Sequence, residues 1–269
     1  MLDIDERVNE HLRRWKLLSA DGGESDATIR AVLSHTAGIF DGEDSFYGLR
    51  IGDPEVTLLD ILEGHTKYNN RPVRAEQPQG TAFEYSDAGY CVLQQMIQDV
   101  TGKEFSAFLN ELIFDELGMK HTFFASQTER EKHKANMATG YDDEGLPIPG
   151  KFPVTPDLAA SGLWSTPKDL LALAAEVYRA LNGKSTFLQA DSVREIIKPV
   201  ENFSWTGLGI FLDGNDTLIS KGWGENGQCM MKLHRESGEI SVVMTNKNPG
   251  VDQTESGVEW LTDSYVWFV

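Results

Sequence analysis

Tyr85 and Asp87 place a phenol and a carboxylate directly before a stretch that has the apolar periodicity of a helix. A tyrosine hydroxyl can act as a general base when nearby cations lower its pKa. Turn-forming residues 77–80 precede the pair, and apolar residues at helical spacing follow it: Tyr90, Val92, Leu93, Met96, Ile97 and Val100. We expect Tyr85 on a loop held by a buried helix that ends at residues 101–102. In the simpler interpretation the ring only packs and its hydroxyl caps a backbone group.

The periodicity of the remaining chain changes near residue 200. Before it, helical spacing recurs in 25–40, 57–62, 105–117 (with an apolar face of Phe108, Leu109, Leu112, Ile113 and Leu117) and 167–181. After it, a period of two predicts strands at 205–212, 217–220, 228–234 and 240–245, with a turn at 213–216. We expect 258–269 to be an apolar helix on that sheet. Residues 126–156 are predicted to form a long surface loop near a cleft, in which Tyr141 contacts a ligand or only its own loop.

The composition argues against several classes of partner. The 269 residues include 42 acidic and 24 basic ones, for a formal net charge of −18. Nucleic acid and anionic membranes attract clustered Lys and Arg, so we expect neither as a partner. No window approaches the roughly 18 apolar residues of a membrane span, and the opening "MLDIDE" lacks the pattern of a signal peptide. The compartment stays open, with the cytoplasm as the default.

The cysteines and histidines give no sign of a metal centre. Cys91 and Cys229 lie in apolar runs, which indicates two buried thiols rather than a disulfide. His121 and His133 have no second ligand at zinc spacing, so we expect neither a metal nor a cofactor. His35 ends the 25–40 pattern, where local hydrogen bonds commonly satisfy a histidine. We favour a structural role for it over a role as catalytic base.

Four stretches together resemble one family: "QGTAFEYSDAGYCVLQQMIQDVTG", "IRAVLSHTAGI", "LIFDELGMKHT" and "ASGLWSTPKDLLAL". They are similar to the penicillin-recognising serine hydrolases, which include class C β-lactamases, DD-peptidases, esterases and D-aminopeptidases. The resemblance implies an α/β (α+β) fold of the β-lactamase/transpeptidase type, with helices flanking an antiparallel sheet. It implies a single domain over 1–269 that is incomplete at its N-terminus. In that domain 1–199 is mainly helical with cleft loops, and 200–269 holds antiparallel strands and a C-terminal helix.

The resemblance also implies a reaction, acyl transfer through a serine ester. Tyr85 and a lysine would remove the serine proton, backbone N–H groups would stabilise the oxyanion, and water would release the acyl group. The substrate would be a small-molecule ester, amide or peptide. In the family's second motif, Tyr-x-Asn, an amide stands where this chain has Asp87. An ionised aspartate accepts a hydrogen bond from a lysine but cannot donate one to a substrate carbonyl.

The stretch Lys221-Gly222-Trp223-Gly224 resembles the family's third motif, Lys-Thr-Gly or His-x-Gly. We expect it between two strands, where its glycines let a substrate approach the backbone. Lys221 would supply positive charge, and the Gly224 N–H would form half of an oxyanion hole. Gly222 and Trp223 replace the threonine and glycine, which favours an esterase or amidase over an efficient β-lactamase. The alternative is a glycine-rich hairpin turn with a solvated lysine.

The family's nucleophile lies in a Ser-x-x-Lys motif on a helix that precedes a phrase like "LDIDERVNEHL". This sequence begins with that phrase, so we expect it to lack the nucleophile segment and two strands of the sheet. Ser165 and Lys168 form the one Ser-x-x-Lys in the chain. We interpret them differently, because Thr166 is suited to cap a helix whose first residue is Pro167 and whose last turn stops at 182–183.

Three hypotheses follow from this pattern. The chain is a fragment of a serine hydrolase, or it is a non-catalytic relative that binds peptide or peptidoglycan-like ligands. In the third, a separate polypeptide that carries the missing segment complements it. Removal of a buried helix would expose apolar surface, so the isolated chain is expected to be marginally stable or to self-associate.

Overall fold

The computed structural model describes residues 2–125, 127–214, 216–264 and 267–268. Its helices are α1 (Val8–His11), α2 (Ile29–Leu33), α3 (Leu58–Glu63), α4 (Asp87–Thr101), α5 (Phe105–Leu109), a π-helical turn (Asn110–Phe114), α6 (Asp115–Leu117), α7 (Gln127–His133), α8 (Leu158–Ser161), α9 (Pro167–Leu181), α10 (Ala190–Ile196) and α11 (Val258–Ser264). Its strands are β1 (Leu18–Ser19), β2 (Arg74–Ala75), β3 (Phe123–Phe124), β4 (Leu163–Trp164), β5 (Phe211–Asp213), β6 (Thr217–Gly224), β7 (Gly227–His234), β8 (Glu239–Met244) and β9 (Trp267–Phe268).

The chain forms two compact units. The first contains 1–110, 124–132 and 154–163, and the second contains 111–123, 133–153 and 164–269. Helices and an antiparallel sheet occur together, as the predicted mixed α/β fold requires. The single-domain assignment over 1–269 stays a prediction. No helix among the described residues is long and apolar enough to cross a membrane.

Helix α4 is the centre of the first unit. Its apolar side, including the fully buried Cys91 and Val92, packs against residues from the three short helices α1, α2 and α3. The Ser86 side chain accepts a hydrogen bond from the Gly89 N–H at its start, and Gly102 ends it in the left-handed conformation. The helix predicted after Tyr85 is therefore confirmed, and it places residues 85–87 at its N-terminal end.

The second unit is built on an antiparallel sheet in the order β5-β6-β7-β8-β9. One face carries Leu218, Leu233 and Ile240 and packs against α9. The other carries Ile219 and Met230 and packs against Val258 at the start of α11. Side chains alternate along each strand, so both faces of the sheet carry apolar residues, and α9 and α11 each cover one face. The strands predicted at 228–234 and 240–245 correspond to β7 and β8, which pair with each other as a hairpin.

The start of α9 confirms the capping interpretation of Thr166. Its hydroxyl accepts a hydrogen bond from the Asp169 N–H at 3.3 Å, and Pro167 is the first helical residue. Ser165 lies before the helix, and its hydroxyl is 2.7 Å from the Thr122 hydroxyl. A serine outside the helix is not presented one helical turn from Lys168, so this pair is not a Ser-x-x-Lys motif of the catalytic kind.

Two predicted elements end differently in the structure. The prediction of a strand at 205–212 is wrong, because only Phe211–Asp213 pairs with β6. Gly207 N–H and Leu208 N–H instead bond to Ile210 and Ile196, which folds this stretch into a turn. The C-terminal helix stops at Ser264, and Trp267–Phe268 forms a strand beside β8. Val269, and Asn215 in the predicted turn at 213–216, lie outside the described residues.

Two predictions in the middle of the chain also need correction. The 105–117 helix contains a π-helical turn, Asn110–Phe114, whose extra residue rotates the helix face. Leu112 is 46% exposed as a result, and Phe114 is buried in its place. The long loop predicted at 126–156 contains the helix α7, Gln127–His133. Ser126 lies outside the described residues.

Candidate active site

Tyr85 lies on the loop immediately before α4, as the sequence predicts. Its side chain is 54% exposed, so its phenol is accessible. The ring stacks on His35 with centroids 4.4 Å apart and an interplanar angle of 26°. His35 stacks in turn on Tyr90, at 5.0 Å and 25°. The predicted reactive side chain is therefore accessible to solvent and held by an aromatic stack.

His35 is tied to the same loop by hydrogen bonds on both sides of Tyr85. The Ser86 N–H donates to His35 Nδ1 at 3.1 Å, and the Glu84 N–H donates to the His35 carbonyl oxygen at 2.8 Å. Burial lowers the pKa of His35 to about 4, so the ring is neutral at pH 7 and Nδ1 keeps its lone pair. These local hydrogen bonds fit the structural role that we favoured for His35.

Asp41 anchors the start of α4, although no pattern in the sequence singles it out. Its carboxylate accepts hydrogen bonds from the Ser86 hydroxyl at 3.0 Å, the Asp87 N–H at 2.9 Å and the Ala88 N–H at 2.9 Å. A carboxylate at a helix N-terminus satisfies unpaired N–H groups and complements the helix dipole. An aspartate in a glycine-rich loop resembles any turn residue, so its role needed the fold to be seen.

Two carboxyl groups of the first unit, the half-buried Asp87 and the fully buried Asp157, have raised pKa values. Burial, with a smaller contribution from the charge of Asp41, raises the pKa of Asp87 to about 7. Burial and then the charge of Asp87 raise the pKa of Asp157 to about 8. At neutral pH Asp87 is therefore partly protonated and can then donate a hydrogen bond. The expectation that this position only accepts hydrogen bonds holds for the ionised form alone.

Asp157 is fully buried where α8 packs on α4. The Tyr68 hydroxyl, itself buried, donates to Asp157 Oδ1 at 2.7 Å. Oδ2 accepts no hydrogen bond from the described residues. A buried carboxyl oxygen without a partner is costly when ionised, which explains why the group keeps its proton. The sequence did not single out Asp157 either.

Lys221 to Gly224 form the end of strand β6 and are not a separate segment between strands. Each residue pairs with β7: Lys221 with Met230, Gly222 with Cys229, Trp223 with Gln228 and Gly224 with Gly227. The chain reverses through the two residues 225–226. The motif therefore lies in a hairpin whose turn is confined to 225–226, and Lys221 is a half-buried residue of its first strand. A role for Lys221 in a site, rather than as a solvated lysine, stays a prediction.

The two faces of β6 carry different groups. By alternation Lys221 and Trp223 share the face of Ile219, and Gly222 lies on the opposite face. A β-carbon on Gly222 would lie 2.5 Å from Cys229 Sγ, so the Cys229 side chain in β7 would have to shift to admit one. Hydrogen bonds from Thr254, and then the charge of Lys221, hold the pKa of Asp252 low.

Trp223 is 51% exposed, and its indole N–H donates to Asn248 Oδ1 at 2.8 Å. The Asn248 N–H donates to the Tyr141 carbonyl oxygen at 2.9 Å, and the Tyr141 N–H donates to Asn246 at 2.8 Å. The polypeptide around Tyr141 is thus paired with the segment after β8. Tyr141 lies in the same unit as Trp223, and its contact with a ligand stays a prediction.

The predicted site residues fall into two groups. Tyr85 and Asp87 lie together at the start of α4 in the first unit, and Lys221, Gly222, Trp223 and Gly224 lie together on β6 in the second.

Cys91 and Cys229 are both free thiols. Among the described residues no group of three or more His, Cys, Asp or Glu side chains could hold a metal ion.

The model of the Beta-lactamase family matches residues 1–261. The chain belongs to this family. Curated relatives include the Unguisins hydrolase ungD of Aspergillus violaceofuscus (strain CBS 115571), 31% identical over 137 residues that make up 51% of this chain and 23% of the relative. Protein flp of Staphylococcus aureus (strain MW2) is 26% identical over 182 residues, 65% of this chain and 32% of the relative. The chain therefore spans about a third or less of these curated relatives.

Solved structures show the same fold. The D-amino acid amidase from Ochrobactrum anthropi SV3 superposes with a TM-score of 0.73 at 22% identity, over 98% of this chain and 77% of that chain. The penicillin binding protein from Bacillus halodurans superposes with a TM-score of 0.72 at 21% identity, over 97% of this chain and 79% of that chain. EstCE1, a hydrolase with promiscuous acyltransferase activity, superposes with a TM-score of 0.66 at 21% identity, over 92% of this chain and 74% of that chain. At these identities the likeness concerns the fold.

Proposed function

We propose that this chain is part of a serine hydrolase that acts by acyl transfer on an ester or amide, closer to an esterase or peptidase than to a β-lactamase. The observation that carries the proposal is Tyr85, an accessible phenol that stacking holds in place at the start of α4. A general base must be both reachable and held in position, and Tyr85 meets both requirements. Family membership and hydrolase-named relatives support the same reaction class.

In this proposal Tyr85 takes the proton of a serine hydroxyl as that oxygen attacks the substrate carbonyl. The proton later passes to the leaving group, and water attacks the acyl-serine to release the acid. Lys221 stabilises negative charge in the site, and the Gly224 N–H donates to the oxyanion. Asp87 holds the lysine of the nucleophile motif. The serine and that lysine are expected on a segment outside these 269 residues.

The preference for esters and amides rests on two positions of β6. Gly222 supplies no hydroxyl where the family's third motif has threonine, so one donor to a substrate carboxylate is lost. Trp223 adds a half-exposed indole where that motif has glycine. Both changes disfavour the compact, carboxylate-bearing ring of a β-lactam.

The test compares this chain with the reading frame extended upstream of Met1 in its gene. Each protein is treated with a fluorescent fluorophosphonate, a fluorescent penicillin and nitrophenyl acetate. We expect fluorophosphonate labelling and ester turnover in the extended protein, little turnover of penicillin, and a kcat about 10²-fold lower or more after Tyr85→Phe.

Ser165→Ala is the matched control, and it should keep full labelling. Labelling that disappears with Ser165→Ala would overturn the capping interpretation and move the nucleophile into this chain. If neither protein is labelled nor turns over ester, the proposal that this chain is part of a hydrolase encoded in one reading frame is wrong. A non-catalytic relative and complementation by a separate polypeptide are then the two hypotheses left.

A further inference from the structure

The residues 35–38 run alongside the loop that carries Tyr85. Three backbone hydrogen bonds join the two segments: Glu76 N–H to Gly38 O at 2.7 Å, Gly80 N–H to Thr36 O at 2.7 Å and Glu84 N–H to His35 O at 2.8 Å. The approach is close, because a β-carbon on Gly38 would lie 2.1 Å from the Gln77 carbonyl oxygen. The segment 35–38 therefore acts as a template for the loop before α4.

We propose that His35 is the positioning residue of Tyr85: its carbonyl oxygen, its Nδ1 and its ring fix residues 84–86 so that the phenol has one orientation. The inference rests on the proposed function, since it assigns His35 to the site where Tyr85 acts. The carbonyl oxygen holds the residue before Tyr85, Nδ1 holds the residue after it, and the ring supports the phenol between them.

The backbone of His35 shows that the arrangement is constrained. Its φ is 58°, in the left-handed region that costs a residue with a β-carbon of order 1 kcal/mol. This conformation ends helix α2, because the His35 N–H donates to the Val32 carbonyl oxygen at 3.2 Å and the Thr36 N–H donates to the Ala31 carbonyl oxygen at 2.8 Å. The same turn places the carbonyl oxygen, Nδ1 and ring of His35 against one loop, where each makes a contact.

The side chain of His35 must also be neutral. Nδ1 accepts the Ser86 N–H, and protonation would place a second N–H against it. The ring stacks on two titratable groups, Tyr85 and Tyr90, and Asp41 is linked to it through Ser86, whose hydroxyl it binds. Burial of the ring disfavours its charged form, so the acceptor is preserved at neutral pH.

The first test measures the loop directly in the 269-residue chain, without any need for turnover. Amide hydrogen exchange of Ser86 is followed by NMR in His35→Ala, His35→Asn and the wild type. Asparagine tolerates a positive φ and keeps an acceptor, so His35→Asn should retain protection of the Ser86 amide. In His35→Ala the Ser86 amide should exchange about tenfold faster or more than in the wild type. His133→Ala is the control, since His133 stacks on Phe123 in the second unit and should leave Ser86 unchanged.

The second test measures ester hydrolysis in the extended protein. A displaced base lowers kcat and leaves binding alone, so His35→Ala should lower kcat by up to about 10²-fold with little change in KM. His35→Asn should recover part of that loss. Wild-type Ser86 exchange in a folded His35→Ala protein overturns the positioning role, as does an equal kcat in the Ala variant and the wild type. Absence of turnover in every protein, with faster Ser86 exchange in His35→Ala, counts instead against the proposed function.

Discussion

The region around Tyr85 and the region around Lys221 are held in different ways. Tyr85 depends on single side chains from distant parts of the sequence, because His35 and Asp41 bind residues 86–88 across 45 to 51 positions. Lys221 depends on repeated pairing with β7, its neighbour through a two-residue turn. The first region can be broken by one substitution. The second is distributed over a strand and should tolerate most.

The largest effect should follow Asp41→Ala. The substitution leaves the Ser86 hydroxyl and the N–H groups of Asp87 and Ala88 without their acceptor, which should cost about 3 kcal/mol in the free energy of unfolding. Urea denaturation measures the loss, and nitrophenyl acetate hydrolysis by the extended protein shows whether Tyr85 is displaced.

Asp99→Ala is the matched control for Asp41. Asp99 accepts hydrogen bonds from Arg13, Arg14 and Gln95 in the same unit. We expect a comparable loss of stability with a much smaller loss of ester turnover. Equal losses of turnover in the two variants would show that Asp41 has no special relation to Tyr85.

Gly222→Ala is a substitution that the strand carrying Lys221 should tolerate only at a cost in stability. The new β-carbon would meet Cys229 Sγ at 2.5 Å, and overpacking of this kind costs about 1–3 kcal/mol. Chemical denaturation of Gly222→Ala, Cys229→Ala and the double variant should give a favourable coupling of at least about 0.5 kcal/mol, because the smaller side chain relieves the contact.

Gly224→Ala tests whether the effect at Gly222 is local. Its β-carbon would find Asn226 Oδ1 at 3.5 Å, an ordinary contact, so we expect a change within about 0.5 kcal/mol. If the two glycine variants lose equal stability, the contact with Cys229 is not what requires glycine at 222.

Asp157→Asn should change how stability depends on pH in the first unit. A carboxyl whose folded-state pKa is raised contributes stability below its unfolded value near 3.8, and that stability is lost as pH rises through about 8. Asparagine cannot ionise, so between pH 6 and pH 9 the free energy of unfolding of the variant should rise by about 1 kcal/mol or more relative to that of the wild type. Thermal unfolding across that range measures the gain.

Asp99→Asn is the reference for this titration. Burial alone would raise the pKa of Asp99, but hydrogen bonds from Arg13 and Arg14 outweigh it and lower the pKa. The difference in the free energy of unfolding between Asp99→Asn and the wild type should therefore stay constant between pH 6 and pH 9. A constant difference for Asp157→Asn as well would mean that Asp157 is ionised throughout, contrary to its burial.

The smallest effect should follow Asn248→Ala. Trp223 is half-exposed, so water can replace the lost acceptor and the free energy of unfolding should fall by no more than about 1 kcal/mol. The indole would no longer be fixed, and KM for an aryl ester should rise. Asn246→Ala, which removes a bond to Thr139 instead, should leave KM unchanged.

The contrast between the regions explains what the sequence could predict. Strands β6, β7 and β8 and helices α4 and α9 follow from local patterns, since their caps and alternation lie within a few residues. Tyr85, at the edge of α4, was found for the same reason. Asp41 and Asp157 were missed because their partners, Ser86 and Tyr68, lie 45 and 89 residues away. The π-helical turn and the exposed Leu112 were missed because one extra residue rotates an otherwise regular pattern.

We propose that Tyr85 and Lys221 serve one acyl-transfer reaction. A double-mutant cycle of Tyr85→Phe and Lys221→Met in the extended protein, with kcat/KM for nitrophenyl acetate as the readout, tests this proposal. Groups that act as a unit are strongly non-additive, so the double variant should be scarcely slower than the slower single variant. If the two losses multiply instead, Tyr85 and Lys221 act independently and the proposed joint role is contradicted.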